Sequence, residues 1–151
     1  MVTLDGLFLF VKRSIWKENP FDEEKIKGFH FYDADFSFGV AQKWQNYVCL
    51  TVDIYHFSFG NCDRIYYENA RIFQKKWKDK LPYSINKQKV SLIYELKSAG
   101  LFLYKSYRKG LRDNVKHFIE INGIFYFFLF CVLMPIIILR KIVNIIKQND
   151  R

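Results

Sequence analysis

The chain has 151 residues, 24 Lys and Arg against 15 Asp and Glu, and 50% of its residues in the hydrophobic set. This composition excludes a disordered chain and a disulfide-stapled miniprotein, and the length sets a ceiling of one ordinary domain. Residues 1–71 hold 8 basic and 10 acidic groups, residues 72–118 hold 12 and 3, and residues 119–151 hold 4 and 2, so the excess of +9 comes from one segment. A basic stretch leading straight into a long apolar run points to a membrane surface ahead of nucleic acid. Cys49, Cys62 and Cys131 form no CxxC pair and are odd in number, which fits a reducing compartment. The first residues show no basic n-region, apolar core and small-residue cleavage site, and so no secretory signal.

Residues 3–11 read as a strand that opens without a lead-in; Leu7 to Val11 has the apolar density of a buried strand and is too short to span a bilayer. Asn19-Pro20 marks a turn, and Phe21-Asp22-Glu23-Glu24 follows as a polar loop or short helical start. Phe36, Val40 and Trp44 recur near helical spacing, which puts Asp33 at or just before a helix N-terminus, where unpaired N–H groups favour a carboxylate. Residues 47–55 (YVCLTVDIY) are β-branched and aromatic and predict a second strand, with residues 56–61 as the loop at its C-terminal end. From Asp63 a helix is expected: Tyr66, Ala70, Phe73 and Trp77 fall at intervals of 4, 3 and 4, and Leu81-Pro82 ends it.

Residues 86–99 predict a further amphipathic helix carrying Val90, Ile93, Tyr94 and Leu96, interrupted near Gly100. Residues 101–118 alternate apolar and basic groups without a clean stripe. Ile121 to Leu139 contains no charge, and at about 1.5 Å per residue it reaches roughly 28 Å, just enough for the ~30 Å hydrocarbon layer. Asn122, Gly123 and Pro135 interrupt that run, and Ile142, Val143, Ile145 and Ile146 continue an apolar face beyond Arg140-Lys141, as in an interfacial helix. A transmembrane or deeply embedded helix is the leading expectation, and a buried or in-plane helix is the alternative. Basic residues flank the run almost evenly, with Lys105, Arg108, Lys109, Arg112 and Lys116 before it and Arg140, Lys141, Lys147 and Arg151 after it, so charge does not set an orientation.

The densest candidate cluster is FDEEKIKGFHFYDADFSF, residues 21–38. Asp33 and Asp35 could bind a hard cation, or one could be a general base while the other packs at the helix start; plain N-capping is the competing assignment. His56 lies where the second expected strand ends, beside Ser58 and Gly60, and could donate to a phosphate or ligate a divalent metal with carboxylates from elsewhere. A histidine that only satisfies a backbone carbonyl is the alternative. His30 reads as a loop or strand residue near the site, and His117 as part of the basic stretch. The sequence has no GxGxxG, GxxxxGK[ST], GxSxG or HExxH, which removes the usual nucleotide-binding, serine-hydrolase and zinc assignments. Aromatic residues do not alternate with Lys and Arg as in an RNA-stacking platform, so no nucleic-acid partner is expected.

Leu4-Asp5-Gly6, then Phe21-Asp22-Glu23, then Gly28-Phe29-His30-Phe31-Tyr32-Asp33-Ala34-Asp35-Phe36, then Asp53-Ile54-Tyr55-His56-Phe57-Ser58-Phe59-Gly60, then Phe73-Gln74-Lys75-Lys76-Trp77 follow one another in an order that resembles a known family. Residues 1–82 look like the second half of a family 2 glycosyltransferase, of the branch that includes the streptomycin-biosynthesis StrF-type domain. The GFHFYDxDF element and the downstream H-x-S-x-G carry the resemblance in combination.

The resemblance implies an α/β fold, the acceptor-binding half of a GT-A type glycosyltransferase, incomplete, over residues 1–82. Basic amphipathic helices over 83–118, an apolar transmembrane or interfacial helix over 119–146 and a polar tail over 147–151 are expected to follow. It implies transfer of a sugar from a nucleotide sugar to a lipid-linked or polysaccharide acceptor. Asp33 would be the general base and Asp35 a supporting carboxylate. Asp5, Gly6, His30, Tyr32 and Ser58 would contact substrate, and His56 would help hold a divalent metal, Mn or Mg, on the nucleotide diphosphate. The resemblance implies that the nucleotide-binding half is missing, so that the chain is a truncated gene product, a fragment, or one piece of a split enzyme whose partner is a separate N-terminal half, and the chain is expected at the cytoplasmic face of the membrane, single-pass or peripheral. The alternative is a non-catalytic, membrane-anchored remnant or interaction protein.

Overall fold

The structure, a computed structural model, describes residues 3–57, 60–83 and 89–149. Among the described residues the chain forms helices α1 (Arg13–Glu18), α2 (Tyr32–Val40), α3 (Arg64–Lys76), α4 (Leu92–Arg108), α5 (Asn114–Asn122) and α6 (Ile124–Asn149), and no strand. The expected α/β half-fold is therefore corrected to an all-helical one, without the sheet of a GT-A type domain. The physical reason lies in residues 3–11 and 47–55. Their β-branched and aromatic content suits a pleated surface, but a strand is a pairing and neither segment meets a ladder partner, leaving Phe10 93% and Leu50 87% exposed.

The chain divides into two compact units, Met1–Gln88 and Lys89–Arg151. In the first, α2 follows Phe31, whose φ of 69° is in the left-handed region; the ring earns that conformation by packing 5.1 Å from Tyr66 and 5.6 Å from Phe73. Phe36, Phe38 and Val40 of α2 are buried with Tyr67, Ala70 and Phe73 of α3 and with Ile26. Phe38 stands at the centre, edge-on to Phe73, Trp77 and Tyr83 at 5.7, 5.0 and 5.4 Å. Asn19, at the end of α1, donates to the Phe36 carbonyl at 3.1 Å, and Gly39 leaves room for it: a Cβ there would lie 3.0 Å from Asn19 Nδ2. The α3 helix starts where its periodicity predicts, with the Asp63 side chain accepting from Tyr66 N–H at 2.9 Å.

In the second unit the expected break near Gly100 does not occur, because α4 runs through it. Glycine there serves close approach: a Cβ would lie 3.1 Å from Met134 Cε and 3.2 Å from Phe130 Cε2 of α6. The α4–α5 corner is tied by a buried polar knot, in which Ser106 Oγ donates to the Leu103 carbonyl at 3.2 Å and Asn114 Nδ2 to the same carbonyl at 3.0 Å. Gly123, with φ of 85°, then divides the apolar run between α5 and α6. Among the described residues no single helix is long and apolar enough to cross a membrane; Asn114–Asn122 and Ile124–Arg140, bent by 117°, qualify by length and composition only as a pair. Residues 86–88 of the expected 86–99 helix lie outside the described residues.

Candidate functional site

Three pieces of chain far apart in sequence meet at the N-terminal end of α2. Leu4 N–H donates to Ser37 Oγ at 3.0 Å, Gly6 N–H donates to Asp33 Oδ2 at 2.7 Å, and Tyr32 Oη donates to the Gly6 carbonyl at 3.1 Å. These bonds strap residues 4–6 across the first turn of the helix. Only glycine fits under the strap, since a Cβ on Gly6 would come within 2.7 Å of Tyr32 Cζ and 2.9 Å of Asp33 Cβ. On the other side Asn69 Nδ2, from α3, donates to the carbonyls of Lys27 and His30 at 2.7 and 2.8 Å, fixing the loop that enters α2.

Between these pieces lies a cavity of about 800 Å³, lined among others by Asp5, Gly6, His30, Tyr32, Asp33 and His56. Its volume is in the range of small-molecule sites. Phe29, Phe31 and Tyr66 add aromatic wall, and Asn61 and Cys62 add polar groups from the segment leading into α3. Among the described lining residues there is no Lys or Arg.

Each Asp33 oxygen accepts one backbone N–H, Oδ2 from Gly6 at 2.7 Å and Oδ1 from Ala34 at 2.7 Å, so each keeps further lone-pair capacity. Tyr32 is held above the ordinary phenol range by burial and by the neighbouring Asp33 and Asp5 carboxylates, which keeps its hydroxyl a donor. Tyr66 is raised too, by burial first and then by Cys62, Tyr67 and Asp33. His30 Nε2 approaches Asp63 Oδ1 at 3.6 Å while its ring stands edge-on to Tyr66 at 5.4 Å.

Asp35 is elsewhere. It is 4% exposed, and its oxygens accept from Lys76 Nζ and Trp77 Nε1, each at 2.8 Å. Lys76 also donates to Asp22 Oδ2 at 2.8 Å. That arrangement ties α2 to the end of α3, and Asp35 is not among the described residues that line the cavity. Ser58 lies outside the described residues. His56 lines the cavity, and among the described residues no three His, Cys, Asp or Glu side chains converge into a group that could hold a metal ion.

The residues at the cavity that fall outside the candidate stretches of the sequence include Cys62 and Tyr66, with Asp63 beside His30. Asp63 and Tyr66 had already been singled out as the start and first apolar position of a helix, and that helix start beside Cys62 was the available signal. Comparison with protein-family models, with curated proteins and with solved structures finds no match.

Proposed function

We propose that the chain takes part in transfer of a sugar from a nucleotide sugar to a hydroxyl-bearing acceptor, and that the cavity at the head of α2 seats the acceptor. The observation that carries this reading is the convergence of Asp5, Gly6, His30, Tyr32, Asp33 and His56 on one cavity, although they come from three separated stretches of sequence. Aromatic faces beside acceptor-only carboxylates suit a neutral polyol, whose C–H faces stack while its hydroxyls donate. A diphosphate is disfavoured there, because the described lining has two carboxylates and no cation. The donor is therefore held by other groups, and a separate nucleotide-binding half is the partner implied by the resemblance.

In the transfer, Asp33 accepts the proton of the acceptor hydroxyl as that oxygen attacks the anomeric carbon; the bond from that carbon to the phosphate oxygen breaks and the nucleoside diphosphate leaves with the electron pair. Tyr32 and Gly6 hold the carboxylate in place through the strap. Nucleotide sugars being cytoplasmic, the site belongs on the cytoplasmic face of the membrane.

The test follows saturation-transfer NMR of the full chain with neutral oligosaccharides, and sugar incorporation in membranes of the cells that make it. Asp33→Asn is expected to cut incorporation at least hundredfold, the scale of a lost general base, with an unchanged circular-dichroism spectrum. Incorporation at the wild-type rate in that variant, or the absence of oligosaccharide binding by the wild type, overturns the reading.

A further inference from the structure

The unit formed by α4, α5 and α6 carries an apolar surface that water does not suit. On α6, Phe125, Phe128, Val132, Ile136, Leu139 and Val143 recur at intervals of 3, 4, 4, 3 and 4 and are all exposed, from Phe125 at 74% to Ile136 at 46%. The stripe is roughly 27 Å long at the helical rise. The opposite face of the same helix is packed: Phe118 of α5 lies 6.1 Å from Phe127 and 5.3 Å from Phe130, and Gly100 of α4 meets Phe130 and Met134.

That packing decides between crossing a bilayer and lying in it. Phe130 is the midpoint of the charge-free run Ile121 to Leu139, so a spanning α6 would put it near the bilayer centre. Gly100 would then be there as well, since its Cβ position is 3.2 Å from the Phe130 ring. Lys97 follows within about 4.5 Å along α4, and Glu95 and Lys105 within about 7.5 Å, well inside a hydrocarbon half-thickness of roughly 15 Å whatever the crossing angle. Three charges at that depth are strongly unfavourable. Laid flat, the same unit sends the α6 stripe into the acyl chains and keeps α4 at headgroup level. There the exposed Tyr94, Tyr104 and Tyr107 suit the interface, and the exposed Lys105, Arg108, Lys109, Arg112 and Lys116 meet lipid phosphates.

The geometry points to α4–α6 as an in-plane, monotopic anchor for an anionic phospholipid bilayer, with both ends of α6 on the same side. It stands independently of the cavity and shares no residue with it.

The full chain, with Cys49, Cys62 and Cys131 changed to Ser, is given one reporter thiol by Lys116→Cys or by Arg140→Cys and added to sealed preformed vesicles. Co-sedimentation is expected to be at least tenfold greater with phosphatidylcholine vesicles containing phosphatidylglycerol than with phosphatidylcholine alone. Both thiols should react with an impermeant maleimide from outside to the same extent. A thiol at position 140 that reacts only after detergent overturns the in-plane placement. Failure to co-sediment, or a dimer that buries the stripe in solution, overturns the membrane partner. Val132→Asp, at a position open to water, is expected to keep its helix content and lose vesicle binding at least tenfold; binding at the wild-type level overturns the role of the stripe.

Discussion

Asp33 and Asp35 sit two positions apart in the first turn of α2, and what reaches them separates their roles. Asp35 is buried against a lysine and an indole N–H, both at 2.8 Å, so removing it leaves Lys76 with a lost partner in a half-buried position. Asp35→Ala is expected to cost the first unit about 1–3 kcal/mol, the scale of a buried hydrogen-bonding group lost while Lys76 keeps Asp22, as read by urea denaturation. A loss under about 1 kcal/mol would show that the pair is dispensable. Asp33 carries the opposite expectation, a large effect on transfer and a small one on stability, because it faces the cavity. Gly6 joins the two behaviours. A methyl group there meets the Tyr32 ring and Asp33 Cβ, so Gly6→Ala is expected to cost about 1–3 kcal/mol by overpacking and to release the strap. The hydrogen-exchange protection of the Gly6 amide is the measurement; unchanged protection in the variant speaks against the strap.

At the scale of elements, helices were legible where one short signal sufficed. Asp63 before an i, i+3, i+4 pattern is such a signal, and α3 begins there with the predicted cap. Asp63→Ala is expected to lose about 1 kcal/mol through the unpaired Tyr66 N–H and also to free the His30 ring that approaches Asp63 at 3.6 Å. Urea denaturation reads the loss, and an unchanged midpoint in Asp63→Ala would show the cap to be dispensable. Strands were not legible in the same way. Leu7 to Val11 and Tyr47 to Tyr55 have strand composition, yet whether a segment pairs depends on neighbours that its own residues do not encode. Gly100 misled for a related reason: glycine is a weak helix former, but here its missing Cβ is what lets Phe130 and Met134 approach, and that tertiary contact decides the helix. The site was legible only in part. The motif residues around Asp33 reached the cavity because they share one helix start, whereas Tyr66 entered it through folding of α3 beside α2.

At the scale of the chain, the charge split has a structural counterpart. The charge boundary does not coincide with the boundary between the two units, because Lys76, near the start of the basic stretch, belongs to the first unit and reaches back 54 residues to Asp22 and 41 to Asp35. This pairing makes the stability of the first unit depend on pH at both ends. Asp22 is held below its ordinary value of 3.8, first by the hydrogen bond from Lys76, so the stability it contributes is present above that value and is lost as the pH falls through the lowered one. Burial alone would lower Lys76, but the hydrogen bonds to Asp22 and Asp35 outweigh it and hold it above 10.5; its contribution is complete below 10.5 and is lost as the pH rises through the raised value. Tyr32, Tyr66 and Tyr67, all raised chiefly by burial, steepen the alkaline side, because the unfolded chain ionises these phenols first, from about their ordinary 10.0. Thermal midpoints are therefore expected to form a plateau from about pH 5 to 9 with a fall on either side. Asp22→Asn should lie below the wild type on the plateau and converge with it once the pH has fallen through the lowered value, where the native carboxyl is neutral as well. A gap that stays constant from neutral pH to acid would mean that Asp22 acts through its shape and not through the charge it shares with Lys76.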